Sequence, residues 1–194
     1  MIPPFNHSHV LPPFVGETHS SANGSPYSVS ATELVARFAT SRERIALLDG
    51  LFRYRKAMQE LGFISGFQWL DGSFVENIEL HADRSPNDVD IVTFAHPPAG
   101  MTNPEIGEML KAHPALFNKE PCRKSFCCDI SLVRLNVDPE RLVRETTYWH
   151  GLFSHRRGDH VWKGLLQLPL DSDDNVAIAQ LNNMQDGGNY APAT

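Results

Sequence analysis

The sequence predicts a single α/β (α+β) domain, a small mixed β-sheet flanked by helices. Two observations predict it. Helix-start signatures alternate along the chain with short, branched apolar runs of strand length. The 194 residues, 41% hydrophobic and 21% charged, suit one sizeable core and no second domain. No internal repeat is found, and no apolar run approaches the roughly 18 residues that a membrane span needs.

Residues 1–28 are rich in Pro, Ser, His and Gly and carry two Pro-aromatic repeats, IPPF and LPPF. Such a composition buries little surface by itself, so a flexible N-terminal arm is expected. It is either disordered or packed along the parent domain, or it docks in an extended conformation in a partner's groove. The domain proper is placed at 29–184 and a flexible tail at 185–194.

Ser30-Ala-Thr-Glu33 reads as a capping box that opens a short helix. Thr40-Ser-Arg-Glu43 repeats the pattern, and apolar residues at three- and four-residue steps continue a long helix until Gly62 supplies a left-handed stop. Phe67–Leu70 reads as a strand that breaks at Asp71-Gly72-Ser73, where a helical turn or two follows through Ile78. His81–Asn87 is a polar loop, and Asp88–Phe94 is a strand closed by His96-Pro-Pro.

Asn103-Pro104 is expected to cap and open a helix to Ala112, and Phe126–Leu135 to form a strand with Asp129 and Val133 on one face. Asp138-Pro139 starts a helix with Leu142, Val143, Thr146, Trp149 and Phe153 inward. Phe153–Arg156 and His160–Leu170 suggest a hairpin, and Asp173 or Asp174 caps a last short helix before the Gly-Gly-Asn tail frays.

Composition narrows function. The net charge of −6 disfavours stable binding to duplex DNA, whose affinity comes from Lys and Arg on phosphates, so a polyanion must meet a local patch. The start of the chain lacks the pattern of a secretory signal, and a cytoplasmic location with no membrane partner is expected. Cys122, Cys127 and Cys128 lack the paired spacing of zinc ligands and read as packing residues. His150, His155 and His160, spaced by five, match one face of neither a helix nor a strand.

The chemistry concentrates elsewhere. Asp88 and Asp90, two apart on a strand, point to one side with Cα atoms about 7 Å apart. Two carboxylates aimed at one place are costly to desolvate unless a cation neutralises both, and hard oxygen ligands suit magnesium. Gly72-Ser73, where a strand hands over to a helical segment, offers backbone N–H groups to phosphate. Plainer readings exist: Asp88 as a loop cap, Asp90 as an edge-strand charge, Asp129 as half of a structural salt bridge. Asp71 reads as a turn residue and is left out of the catalytic set. Arg156, Arg157 and Lys163 are either phosphate clamps or a solvated hairpin.

An apolar strand ending in Gly-Ser (LDGS, Leu70–Ser73), Asp-x-Asp opening the next strand (DVDIV, Asp88–Val92) and a lone Asp on a later one (CCDISLV, Cys127–Val133) resembles the nucleotidyltransferase superfamily of the polymerase-β-like kind. The DGSF wording and the late Trp-Lys-Gly are similar to a compact bacterial branch. The resemblance is closest over residues 64–135, and residues 74–87, longer than the usual spacing, call for an inserted loop or a longer helix. It implies that Asp88 and Asp90 hold two magnesium ions, that Asp129 holds one of them and orients or deprotonates the attacking hydroxyl, and that Gly72 and Ser73 seat the triphosphate. The implied reaction moves a nucleoside monophosphate from an NTP, ATP being the expected one, to a protein, RNA or small-molecule acceptor and releases pyrophosphate. By analogy, small members act beside a partner protein, including in toxin–antitoxin and phage-defence pairs. The alternative implied by the same resemblance is a non-catalytic nucleotide-binding or partner-neutralising module.

Overall fold

A computed structural model describes residues 1–16, 23–187 and 190. In chain order the elements are β1 (Tyr27–Ser28), α1 (Ala31–Phe38), α2 (Arg42–Glu60), β2 (Gly66–Asp71), a 3-10 turn (Ser73–Val75), α3 (Ile78–Ala82), β3 (Val89–Ala95), α4 (Asn103–Ala112), α5 (Pro114–Phe117), α6 (Lys119–Phe126), β4 (Cys128–Arg134), α7 (Pro139–Phe153), β5 (Leu166–Pro169) and α8 (Asp174–Gly187). The strands form one mixed sheet in the order β1-β5-β2-β3-β4. β2 runs antiparallel to β3 and β5, while β3/β4 and β1/β5 are parallel. The expected α+β architecture is therefore present. Among the described residues no helix is long and apolar enough to cross a membrane.

Strand alternation divides the sheet into two faces. Leu70, Ile91, Cys128 and Ile130 join the large core with Leu34, Leu48, Leu51 and Leu181 of α1, α2 and α8. Trp69, Val92, Phe94 and Val133 point the other way, into a small cluster with Phe153 of α7 and Leu165. This thinly covered face carries a cleft. Inside the large core, the fully buried Arg55 donates to both oxygens of Asp174 (2.7 and 2.9 Å), to Gln68 Oε1 (2.7 Å) and to the Pro169 carbonyl (2.8 Å). One guanidinium thus ties α2, α8, β2 and β5 together.

Of the readings of the N-terminal arm, packing along the parent domain is the one that its described residues show. Val10 and Leu11 are fully buried, Gly164 N donates to the Leu11 carbonyl (2.7 Å), Tyr27 Oη to that of Pro12 (2.7 Å), and β1 pairs with β5. An extended Pro-rich segment needs no core of its own when it borrows one. Of the expected tail, residues 185–187 complete α8 and residues 188, 189 and 191–194 lie outside the described residues.

Several boundaries also move. The Ser30/Glu33 box caps α1 as expected. Ser41, not Thr40, caps α2 by accepting from Arg44 N (3.2 Å), and Thr102, not Asn103, opens α4, its N–H donating to Glu105 (2.7 Å). The segment before β4 is helical, which the sequence reading missed; Phe126 ends α6, and Cys127 at φ 54 turns the chain into β4. Asp138 caps α7 as expected, but Val143 is 65% exposed. It lies about 100° round the helix from Leu142, outside the stripe through Trp149 and Phe153 that packs on the small cluster. The hairpin exists as one bridge, His155 to Trp162, and β5 is shorter than the expected strand. Asp174 begins a long α8, while Asp173 accepts from Ala31 N (2.7 Å) and Thr32 Oγ1 (2.6 Å) at the start of α1.

Candidate active site

The register of the adjacent strands β2, β3 and β4 sets the site. Asp90 on β3 is paired with Asp71 at the end of β2 and with Asp129 on β4. Paired residues of neighbouring strands share a face, so three carboxylates stand abreast at about 5 Å intervals of backbone. Asp88, two residues before Asp90, shares the face. All four line one cleft of about 450 Å³, with Gly72 and Ser73 at its corner and Trp149 and Phe153 on its apolar wall. That volume suits a small-molecule ligand.

Asp90 lies on a central strand, so the edge-charge explanation does not apply to it. Among the described residues no hydrogen-bond donor or cation reaches its carboxylate. Burial, then the neighbouring Asp88 and Asp129, raise its pKa to about 6, against a smaller opposite pull from Arg157 and Lys163. Gly72 is needed by Asp90: its φ is +79°, and a Cβ there would sit 1.9 Å from Asp90 Oδ2. Gly72→Ala is expected to cost about 1–3 kcal/mol in urea denaturation and to turn the Asp90 carboxylate away, because the flexible carboxylate yields before the backbone. An unchanged denaturation midpoint would contradict this.

Asp71 is a site residue that the sequence reading set aside as a turn. It is buried, with Oδ1 3.1 Å from Lys163 Nζ, which also lies 2.6 Å from Glu76 Oε1 and donates to the Gly72 carbonyl (3.3 Å). One ammonium faces two carboxylates. Burial raises the Asp71 pKa to about 7, outweighing Lys163 and the Gly72 N–H, with Asp90 adding to the rise. Burial also works to lower that of Lys163, but Asp71 and Glu76 together leave it raised. The Asp71–Lys163–Glu76 triad is thus a buried cluster whose Asp71 carboxyl is held well above the usual carboxylate range.

The expected phosphate cations divide. Lys163 is committed to Asp71 and Glu76. Arg156 is nearly buried, is ion-paired with Asp159 and donates to the Ser8 carbonyl (2.6 Å). These two are structural, which corrects the reading of them as clamps. Arg157 is exposed, lines the cleft and acts on Asp90. The corner is corrected too: the segment after Gly72 is a three-residue 3-10 turn, too short for a helix dipole. The Gly72 carbonyl accepts from Lys163, and Ser73 lines the cleft.

Two further cations come from α6. Arg123 bridges Asp88 and Asp129, with Nε 2.9 Å from Asp88 Oδ2 and Nη2 2.5 Å from Asp129 Oδ2. Lys119 Nζ lies 3.0 Å from Asp129 Oδ1. The Lys119/Arg123 spacing of four residues was the available signal, since it stacks two cations on one helix face, but it has that meaning only if the segment is a helix.

The fit of a divalent cation follows from these contacts. Asp88, Asp90 and Asp129 offer hard carboxylate oxygens; Asp90 has no ion-pair partner among the described residues, and Asp88 and Asp129 already hold a cationic guanidinium. As they stand, no three His, Cys, Asp or Glu among the described residues are gathered for a metal ion. The donor set fits magnesium in its chemistry, and Arg123 stands between two of the donors.

The molecule is thus an α+β protein with a row of sheet-borne carboxylates from β2, β3 and β4 in one cleft. The chain belongs to a family of unknown function, DUF6932, whose model matches residues 3–169 and so covers every site residue named above. Neither the curated proteins nor the solved structures contain a match to the chain.

Proposed function

We propose that the protein is a magnesium-dependent nucleotidyltransferase that moves a nucleoside monophosphate from an NTP to a protein, RNA or small-molecule acceptor. The observation that carries this reading is the register that sets Asp90 beside Asp129, with Asp88 on the same face and Ser73 at the cleft corner. Asp88, Asp90 and Asp129 would hold the ions, which when bound supply charge neutralisation at the phosphates and a more acidic acceptor hydroxyl. Asp129, at the open edge strand, receives the hydroxyl proton. The acceptor oxygen forms a bond to the α-phosphorus, the bond from that phosphorus to the bridging oxygen breaks, and pyrophosphate leaves. Arg157 and Lys119, both exposed and lining the cleft, neutralise phosphate oxygens. Trp149 and Phe153 offer an apolar wall to the base. A cytoplasmic setting accords with three unpaired cysteines, and work beside a protein partner, as in a toxin–antitoxin or phage-defence pair, belongs to the same proposal.

A second reading, a non-catalytic nucleotide-binding or partner-neutralising module, is favoured by one observation: Arg123 already neutralises Asp88 and Asp129. Incubation with α-³²P-labelled NTPs and magnesium, with and without RNA, separates the two. Label on protein, RNA or a small acceptor, lost at least about 100-fold in Asp129→Asn, supports the transferase. Nucleotide binding without transfer supports the module, and cleavage of RNA refutes both.

A further inference from the structure

Arg123 sits where a positive charge is needed and is built to leave. Its side chain is 41% exposed, whereas those of Asp88 and Asp129 are 21% and 18% exposed. The guanidinium is therefore the more exposed partner of a mostly sheltered carboxylate pair. Its Nη1 also lies 3.2 Å from the exposed Glu120 on its own helix, an acceptor towards which it can swing. Cys122 is the one buried residue of α6, so neither Arg123 nor Lys119 is locked by packing. The contrast with Lys163 and Arg156 is sharp, since both of those are nearly buried and held by partners that no ligand would replace.

We infer that Arg123 is a displaceable counter-cation: it and a divalent cation occupy Asp88 and Asp129 in mutual exclusion, so the resting cleft is latched by the protein's own side chain. The inference rests on the proposed function only in placing a divalent cation at these carboxylates. Two unit charges at hydrogen-bond distance attract strongly in a partly sheltered site, so an incoming ion must compete with that attraction. Removing the guanidinium also leaves Asp88, Asp90 and Asp129 repelling one another, which a divalent ion relieves. Both effects have the same sign. Loss of Arg123 tightens metal binding, the opposite of what loss of a merely structural residue would do.

Calorimetric titration of the full-length protein with manganese chloride at fixed ionic strength tests this without reference to activity. Arg123→Gln is expected to bind at least about tenfold more tightly than wild type, Arg123→Lys to fall between, and Asp129→Asn to lose binding. In the wild-type protein, the Arg123 Nε–H NMR signal should lose its protection from exchange when magnesium is added, a readout that stands even if a variant folds poorly. If wild type binds manganese and Arg123→Gln binds no more tightly, the latch is wrong and the transferase reading survives. If neither binds, the latch and the metal-dependent reading both fall.

Discussion

Asp90→Asn should make the protein more stable at alkaline pH while abolishing nucleotide transfer. The sign follows from linkage. Burial and the carboxylates of Asp88 and Asp129 hold the Asp90 pKa at about 6, above its unfolded value of about 3.9, so the folded state binds this proton more tightly. The resulting stabilisation is complete below about pH 4 and is lost as pH rises through 6. At pH 8 the ionised group costs about 1–3 kcal/mol, which a neutral isostere avoids. In EDTA, the thermal midpoint of Asp90→Asn should exceed that of wild type by several degrees at pH 8, and the gap should narrow towards pH 5. Transfer should fall at least about 100-fold, because the central carboxylate of the row is gone. A variant less stable than wild type at pH 8 would show that Asp90 is satisfied by contacts other than a ligand.

The second large effect is at Lys163. Its ammonium is the cation between two buried carboxylates, 3.1 Å from Asp71 and 2.6 Å from Glu76. Lys163→Met removes the charge while keeping much of the stem's packing, and is expected to cost about 3–5 kcal/mol in urea denaturation near neutral pH, since it strands buried acids. Adding Glu76→Gln should recover more than half of that loss, and the single variant should suffer less at pH 5, where the Asp71 carboxyl, already raised by burial, takes a proton. A loss below about 1 kcal/mol would mean that water reaches the triad. Because Lys163 also holds the Gly72 carbonyl, its removal loosens the corner beside Asp90.

How much of this was legible depends on whether the information was local. The capping box at Ser30, the cap at Asp138, the left-handed Gly62 and the branched runs of β3 and β4 announce themselves within a few residues. So do Asp88 and Asp90, because two-residue spacing on a strand has one geometric meaning. The register of Asp90 with Asp71 and Asp129 is not local; it depends on which strands pair and with what offset, and Asp71 looks like any turn aspartate until β2 lies beside β3. Lys163 and Arg156 read as solvent-facing cations because their partners, Asp71, Glu76 and the Ser8 carbonyl, are distant in sequence. Arg123 stayed hidden for a further reason: KEPCRKSF is polar, contains Pro, and shows no apolar stripe from which a helix could be inferred. The burial of Val10 and Leu11 was masked by the prolines around them, which speak of an extended chain and say nothing of what it lies against.

The pairing of β1 with β5 also bears on how the chain emerges from the ribosome. Tyr27 meets Leu166, α1 meets α8, and Arg55 finds its carboxylate only at Asp174. Strands β2, β3 and β4 can assemble early against α2, but the apolar side of α1 and the buried Arg55 of α2 wait for α8, made more than a hundred residues later. Until then the nascent protein holds an open greasy trough and an unpaired β2 edge, and its closing step is the arrival of its own last fifth.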